Sequence, residues 1–148
     1  MELTAEYRFE APLTRVWDLL MDPQTISSCL PGCKSFEPIG EDKYQVSLTA
    51  GVAAVSGSFS GTVTIADKQP HTSYRLIVES RGTPGFAAGQ SLVTLRPADG
   101  GVIVAVAGTV NVGGLIAQVG QRLLGVTARM MMDRFFKCLQ SRIETRVD

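Results

Sequence analysis

Apolar and polar residues alternate at the start of the chain, over the stretch ELTAEYRFEA. The apolar positions of this stretch are Leu3, Ala5, Tyr7 and Phe9. A period of two is the pattern of a half-buried β-strand. After Pro12 the pattern changes to the helical spacing of VWDLL, and Asp22–Pro23 ends this segment before a second helical stretch, PQTISSCL. The chain therefore opens with a predicted strand and one or two short helices.

Alternation returns after the helices and continues from Lys34 to Asn111. Residues that favour turns, at positions 40–42 and 99–101, separate the alternating stretches, and the second of these turns predicts a β-hairpin. The stretch SGSFSGTVTI contains several small residues, which allow a strand to bend sharply. We predict about six antiparallel strands in this part of the chain.

The last part of the chain reads as one long helix, from about residue 113 to residue 147. Its apolar residues first recur at alternating spacings of three and four, at Ile116, Val119, Leu123, Val126 and Met130. A second series then repeats every four positions, at Met131, Phe135, Leu139 and Ile143. A helix of about thirty residues extends about 45 Å and needs a broad apolar surface to lie on. We therefore predict an α+β helix-grip fold in a single domain covering residues 1–148. A strongly curved antiparallel sheet of about seven strands is wrapped around the long C-terminal helix, with short helices after the first strand.

An elongated apolar cavity is expected between the sheet and the helix, with small helices and loops at its mouth. The periodicity places these residues on its walls: Trp17, Leu20, Leu30, Phe59, Leu76, Phe86, Leu92, Leu123, Val126, Met130 and Met131. Pro31 and Gly32 turn the chain from helix to strand at the predicted rim. The run Met130–Met132 fits core filling, a deformable wall for an apolar ligand, or both.

A second part of the predicted rim is the glycine-rich stretch RGTPGFAAG, residues 81–89. In one interpretation it is a mobile lid, because Gly82, Gly85 and Gly89 would let it move and Phe86 would give it an apolar tip. In the other it is an ordinary hairpin loop with Phe86 turned inward.

The amino-acid composition reduces the number of functions that the protein could have. Hydrophobic residues make up 45% of the chain and charged residues 19%, with 14 basic and 14 acidic side chains. This balance provides no basic field for nucleic acid and no basic run to hold an anionic membrane, although low charge permits apolar contact with lipid or a partner. The polar N-terminus is not a signal peptide, and no run of about 18 apolar residues predicts a membrane span.

The cysteines Cys29, Cys33 and Cys138 match no chemical motif. A zinc site needs about four ligands, and the chain adds only one histidine, His71, to these thiols. The spacing of Cys29 and Cys33 differs from that of a thioredoxin-like pair. A cysteine nucleophile needs a base, and His71 lies on a predicted turn. We therefore expect free thiols in a reducing compartment, with no metal, no cofactor and no catalytic residue.

Several motifs taken together resemble one protein family. They are the LPGC turn (Leu30–Cys33), the GSFSG strand (57–61), the GLIAQVGQRLL start of the last helix (114–124) and the later pair Phe135–Phe136. Over Leu3 to about Ile143 the sequence resembles the family of the carbon monoxide dehydrogenase G-subunit (CoxG). This family is part of the START-like, or polyketide cyclase and lipid-transport (SRPBCC), superfamily.

The resemblance implies a helix-grip fold with a deep apolar cavity and no catalytic centre. It also implies a partner, since family members are linked to molybdenum-containing hydroxylases related to carbon monoxide dehydrogenase. They are associated with recruiting that enzyme to the membrane and with carrying quinone for its electrons. Some carry a C-terminal apolar anchor, whereas this chain ends in polar residues at Asp148, so the expected membrane contact is transient and made through the cavity mouth.

We therefore expect a non-enzymatic accessory protein of such a hydroxylase, cytoplasmic or peripheral at the inner face of the membrane. It would bind a quinone or lipid tail by desolvation, worth about 0.8 kcal/mol for each buried CH₂. Two alternatives stay open. One is an assembly or maturation module with an incidental cavity, and the other is a cyclase-type enzyme that depends on His71.

Overall fold

The computed structural model describes residues 1–52 and 54–145 of the chain. Within this part, seven strands form one antiparallel sheet: β1 (Glu2–Phe9), β2 (Cys33–Gly40), β3 (Lys43–Val52), β4 (Val55–Gln69), β5 (Ser73–Gly82), β6 (Gly85–Ala98) and β7 (Gly101–Gly113). The strands follow the order β1-β7-β6-β5-β4-β3-β2 across the sheet. Each strand therefore lies beside its neighbour in sequence, except that β1 pairs with β7.

Three α-helices and one 3₁₀ helix accompany the sheet in the described part of the chain: α1 (Leu13–Met21), α2 (Pro23–Cys29), the 3₁₀ helix (Leu115–Val119) and α3 (Gln121–Thr145). Two short helices after the first strand and a long helix at the C-terminal end confirm the predicted helix-grip fold. The predicted end of the last helix near residue 147 lies outside the described residues.

Helices α1 and α2 meet at Asp22, whose side chain caps α2. Its Oδ1 accepts a hydrogen bond from the Gln24 N–H (3.1 Å), and its Oδ2 accepts one from the Thr25 hydroxyl (2.8 Å). Pro23 takes the first helical position, where its missing N–H costs nothing. The Asp22–Pro23 pair therefore ends one helix and starts the next, as the sequence predicts.

The chain leaves α2 through a tight turn over Leu30–Cys33. The Cys33 N–H donates to the Leu30 carbonyl (3.2 Å), and Gly32 has a φ of 74°, which with Pro31 before it makes a type II turn. The Gly32 carbonyl accepts a hydrogen bond from the Thr49 N–H (3.0 Å). A Cβ on Gly32 would lie 2.1 Å from the Thr49 carbonyl oxygen, so this position requires glycine.

The single helix predicted from residue 113 is broken, so the prediction is wrong at its N-terminal end. Gly114 and Gly120 have φ values of 83° and 96°, which glycine adopts at little cost, and they bound the 3₁₀ helix. The Ile116 N–H donates to the Pro84 carbonyl (2.7 Å) and ties this helix to the β5–β6 turn. The apolar residues before Gly120 therefore do not share the helical phase of α3.

Buried side chains form two clusters. The main cluster combines α1, Cys29 of α2, the C-terminal half of α3 and residues of β1 and β3–β7. The small cluster, at the β3–β4 hairpin and the start of α3, contains Val52, Phe59, Ile116 and Leu124. Helix α3 lies across both, because it contributes Leu124 to the small cluster and Leu139 to the main one.

The two edge strands, β1 and β2, both depart from a regular open sheet edge. Along β1, Arg129 of α3 donates a hydrogen bond to the Thr4 carbonyl, and Gln140 of α3 donates one to the Arg8 carbonyl (2.7 Å). Strand β2 contains Pro38 and shifts its register against β3 near each end. Neither edge therefore presents a regular row of free backbone groups along its whole length.

Candidate functional site: the concave face of the sheet

The concave face of the sheet is covered most completely near α1. There Tyr74, Val93 and Val106 are paired neighbours on β5, β6 and β7, and all three are buried. The Trp17 ring of α1 packs edge-on against the Tyr74 ring, with centroids 5.7 Å apart. This end of the sheet is a closed core.

The centre of the concave face is less covered. The residues two and four positions further along β5, with their partners, are Leu76, Ser91 and Gly108 in one row, and Val78, Gly89 and Val110 in the next. Side chains two residues apart share a face of a strand, so these rows continue the face of Tyr74. Leu76, Val78 and Val110 are nevertheless only half-buried, and their neighbours in the rows are small.

Helix α3 presents Ala128 and Met131 towards this region. Leu124 and Leu139 are buried on the side of α3 that faces the sheet, and positions 128 and 131 lie on the same side at helical spacing. Both residues are half-buried. We call Leu76, Val78, Val110, Ala128 and Met131 the central strip: a partly covered apolar surface between the two buried clusters.

Six of the predicted wall residues lie in or near the concave interior. Trp17 and Leu20 are buried in the main cluster, and Phe59 is buried in the small one. Leu30, which follows α2, is half-buried. Of the predicted walls, the structure therefore brings only Leu76 and Met131 into the central strip.

Three predicted wall residues of the last helix point away from the sheet, so their assignment is wrong. Leu123, Val126 and Met130 are 46%, 61% and 45% exposed. The prediction ran one helical phase through Gly120, whereas α3 begins only at Gln121. A glycine followed by a new apolar period was the signal that could have revealed the break.

Leu92 and Phe86 do not face the interior either, and these predictions are also wrong. Leu92 lies between inward residues of β6 and is 46% exposed on the outer face of the sheet. Phe86 is 43% exposed, and its ring lies against Gly113, where a Cβ would be 2.1 Å from a ring carbon.

The predicted mobile lid is instead part of two paired strands. Residues 81–89 belong to β5 and β6 apart from the two-residue turn at Thr83–Pro84. The glycines serve close strand packing: a Cβ would lie 1.8 Å from the Ser58 carbonyl oxygen at Gly82 and 2.3 Å from that of Thr109 at Gly89. Their place at a cavity rim, like that of Gly85 and of the Pro31–Gly32 turn, stays a prediction.

The outward side of α3 carries a feature that the sequence interpretation missed. Together with Leu115 of the 3₁₀ helix (54% exposed), the exposed residues Leu123, Val126 and Met130 form what we call the outward stripe. An open groove of about 810 Å³ lies between the start of β1 and this part of α3. It is lined by Val126 and Met130 of the stripe and by charged residues of both signs, Arg122, Arg129, Glu2 and Asp133. Residues 113–132 contain these two arginines and no acidic residue.

Polar groups are few around the central strip. The Tyr7 hydroxyl donates to Asp133 (2.7 Å) at the edge of α3, and burial together with this carboxylate raises the pKa of Tyr7. Burial alone raises the pKa of Tyr74. The His71 ring lies beside Trp17, with centroids 5.9 Å apart. In the described residues, no three His, Cys, Asp or Glu side chains come together to hold a metal ion.

The cysteine prediction needs correction. Cys29 and Cys138 form a disulfide between α2 and α3, and only Cys33 is a free thiol in the described chain. The expectation of three free thiols was wrong because the two partners lie 109 residues apart in sequence, and spacing along the chain does not reveal such a contact. The Cys33 Sγ donates a hydrogen bond to the Ser35 carbonyl (3.4 Å).

Several solved structures have the same fold as this protein over nearly the whole chain. A conserved protein from Geobacillus kaustophilus is 36% identical, with a TM-score of 0.93 over 97% of this chain and 95% of that one. TTHA0849 from Thermus thermophilus is 18% identical, with a TM-score of 0.71 over 97% of each chain. The Zhui aromatase/cyclase from Streptomyces sp. R1128 is 14% identical, with a TM-score of 0.69 over 100% and 96%. No protein among the curated ones matches the chain.

The fold and these neighbours define a protein with the helix-grip fold. The model of the family of the carbon monoxide dehydrogenase G-subunit (CoxG) matches residues 6–144. The chain therefore belongs to the CoxG family, and the predicted resemblance is confirmed. Among residues 1–52 and 54–145, no helix combines the length and apolar character that a membrane span requires.

Proposed function

We propose that this protein is a non-enzymatic accessory protein of a carbon monoxide dehydrogenase-type molybdenum hydroxylase, and that it binds the apolar tail of a quinone or lipid. Membership of the CoxG family supports the accessory role. One observation supports the proposal of an apolar ligand. Leu76, Val78 and Val110 are only half-buried, although they lie on a face of the sheet whose two ends are buried. An apolar tail on the central strip would remove these side chains from water.

Desolvation is the mechanism of binding. Each CH₂ transferred from water to an apolar surface contributes about 0.8 kcal/mol, so one isoprenoid unit contributes roughly 4 kcal/mol. The polar head would remain outside, because the central strip offers few hydrogen-bonding groups. Binding would therefore be selective for a long apolar tail rather than for a particular headgroup.

We assign transient membrane contact to the outward stripe. Its exposed apolar residues would enter the lipid interface, and Arg122 and Arg129 beside them would meet anionic headgroups. Through this contact the protein would recruit its partner enzyme or exchange a quinone at the inner face of the membrane, from the cytoplasm.

Lipid extraction and mass spectrometry test the carrier role. We expect an apolar molecule to co-purify with the wild type and with Val126→Phe, which adds bulk on the outward side of α3. Ala128→Phe adds the same ring towards the central strip and should lower the bound amount at least about fivefold, since it occupies the space for the tail. Absence of any co-purified apolar molecule, and of quinone binding at micromolar concentration, would refute this role.

The assembly-module alternative has support from the outer face of the sheet. There an open groove of about 530 Å³ is lined by apolar residues such as Ile77, Leu92 and Ala107, together with polar residues such as Arg75, Glu79 and Gln90. If the partner hydroxylase is captured equally by the wild type and by a folded Ala128→Phe protein that binds no tail, assembly becomes the better description. The cyclase alternative rests on a structural neighbour only 14% identical, and such a likeness shows the fold alone.

A further inference from the structure

We propose that the Cys29–Cys138 disulfide is a reversible thiol–disulfide site that controls how firmly α2 is held against α3. This inference rests on the proposed function in one respect: a cytoplasmic location would expose the bond to dithiol reductants, which keep most thiols there reduced. It regulates the same concave site, because Cys29 belongs to the main cluster that closes one end of the central strip.

Helix α2 is joined to the main cluster through one end of this bond, Cys29. The helix has only seven residues, too few to be stable by itself. Its buried side chains are Thr25 and Cys29, and the Thr25 hydroxyl is bonded to Asp22 at the start of the same helix. Cys29 is therefore the buried side chain through which α2 joins the main cluster.

A second side-chain link between α2 and α3 is weak. Arg142 of α3 donates a hydrogen bond to the Ser28 hydroxyl (2.5 Å), but this contact is exposed to water. Exposed polar contacts contribute little to stability. Once the disulfide is reduced, α2 should open locally while the sheet stays folded.

The chemistry is ordinary thiol–disulfide exchange. A thiolate of the reductant attacks the Cys138 sulfur, which belongs to a half-buried residue, whereas Cys29 is 4% exposed. The S–S bond breaks, Cys29 leaves as a thiolate and takes up a proton, and a mixed disulfide forms on Cys138. The second thiol of the reductant attacks that bond, releases Cys138 as a thiol and becomes oxidised to a disulfide, so two electrons and two protons are transferred.

Loosening of α2 would affect one end of the central strip. Helix α2 leads directly into the Leu30–Cys33 turn, which is hydrogen-bonded to Thr49 of β3. Loosening of α2 would uncover part of the main cluster next to the central strip. In the reduced protein an apolar tail should therefore enter and leave faster than in the oxidised protein.

Thiol counting and amide hydrogen exchange test this inference. In the oxidised full chain, unfolded without reductant, we expect one maleimide-reactive thiol, Cys33, and after dithiothreitol three. Amides of α2 should exchange at least about tenfold faster after reduction, with those of β7 unchanged. Cys33→Ser is the matched control, because it removes the free thiol and should leave both the disulfide and the α2 effect intact.

Two outcomes would overturn the proposal. One is three reactive thiols in protein equilibrated with oxidised glutathione and quenched with acid, and the other is equal α2 exchange rates in the two redox states. Neither measurement depends on a bound ligand. If no apolar molecule co-purifies but α2 loosens on reduction, the carrier role is wrong and the thiol–disulfide site stands.

Discussion

Replacement of Gly32 by alanine tests whether the turn after α2 requires glycine for two separate reasons. The first is the positive φ of 74°, which costs an alanine about 1–2 kcal/mol. The second is the Thr49 carbonyl oxygen, 2.1 Å from the position of the new Cβ. The turn must move away to relieve this overlap and would lose the hydrogen bond from the Thr49 N–H, worth about 1 kcal/mol. We expect Gly32→Ala to lower the free energy of unfolding by about 2–3 kcal/mol.

Gly100→Ala is the matched control for this experiment. Gly100 also has a positive φ, 83°, but no atom lies within 4 Å of the position of its Cβ. Both variants gain the same small benefit from a stiffer unfolded chain, so their difference isolates the overlap with Thr49. Urea unfolding followed by circular dichroism gives the two free energies. Equal losses in the two variants would refute the reasoning, because backbone conformation alone would then explain the effect.

Two further predictions concern titration and membrane contact. Because burial raises the pKa of Tyr74 above the ordinary value of about 10, its contribution to stability is complete below about pH 10 and is lost as the pH rises further. Tyr74→Phe should therefore lose less unfolding free energy than the wild type between about pH 10 and 11.5, and parallel curves would contradict this. Val126→Asp should weaken sedimentation with phosphatidylglycerol vesicles at least about fivefold, whereas Ile39→Asp, at a 53% exposed position on β2, should not. Equal weakening by both would refute the assignment of the outward stripe.

The sheet could be predicted from sequence because its inner face is apolar and its turns carry distinctive residues. At the β6–β7 hairpin, Asp99 and Gly100 both have positive φ, the conformation that this residue pair favours in two-residue turns. The alternation of β1, from Leu3 to Phe9, likewise matches the pairing of that strand with β7. At these places the local preferences of the residues and the tertiary contacts favour the same structure. The sequence pattern was therefore sufficient to predict the strands and the turn.

The candidate site was predicted less well because several of its determinants are not local. Gly120 resets the helical phase, and a mean period cannot show which apolar side of α3 faces the sheet. Leu92 is apolar but lies on the outer face, and composition does not separate the two faces of a strand. The partnership of Cys29 with Cys138 depends on the packing of α2 against α3, which exists only in the folded chain.

The structure of the two sheet edges affects how copies of the protein associate in concentrated solution. An open sheet can recruit strands from other molecules through free edge groups, and this is a common route to fibrils and swapped dimers. On β1, side chains of α3 already occupy two carbonyls, and on β2 a proline and two register shifts interrupt the pairing pattern. Copies of this protein are therefore expected to meet through side-chain surfaces rather than through a sheet that continues from one molecule into the next.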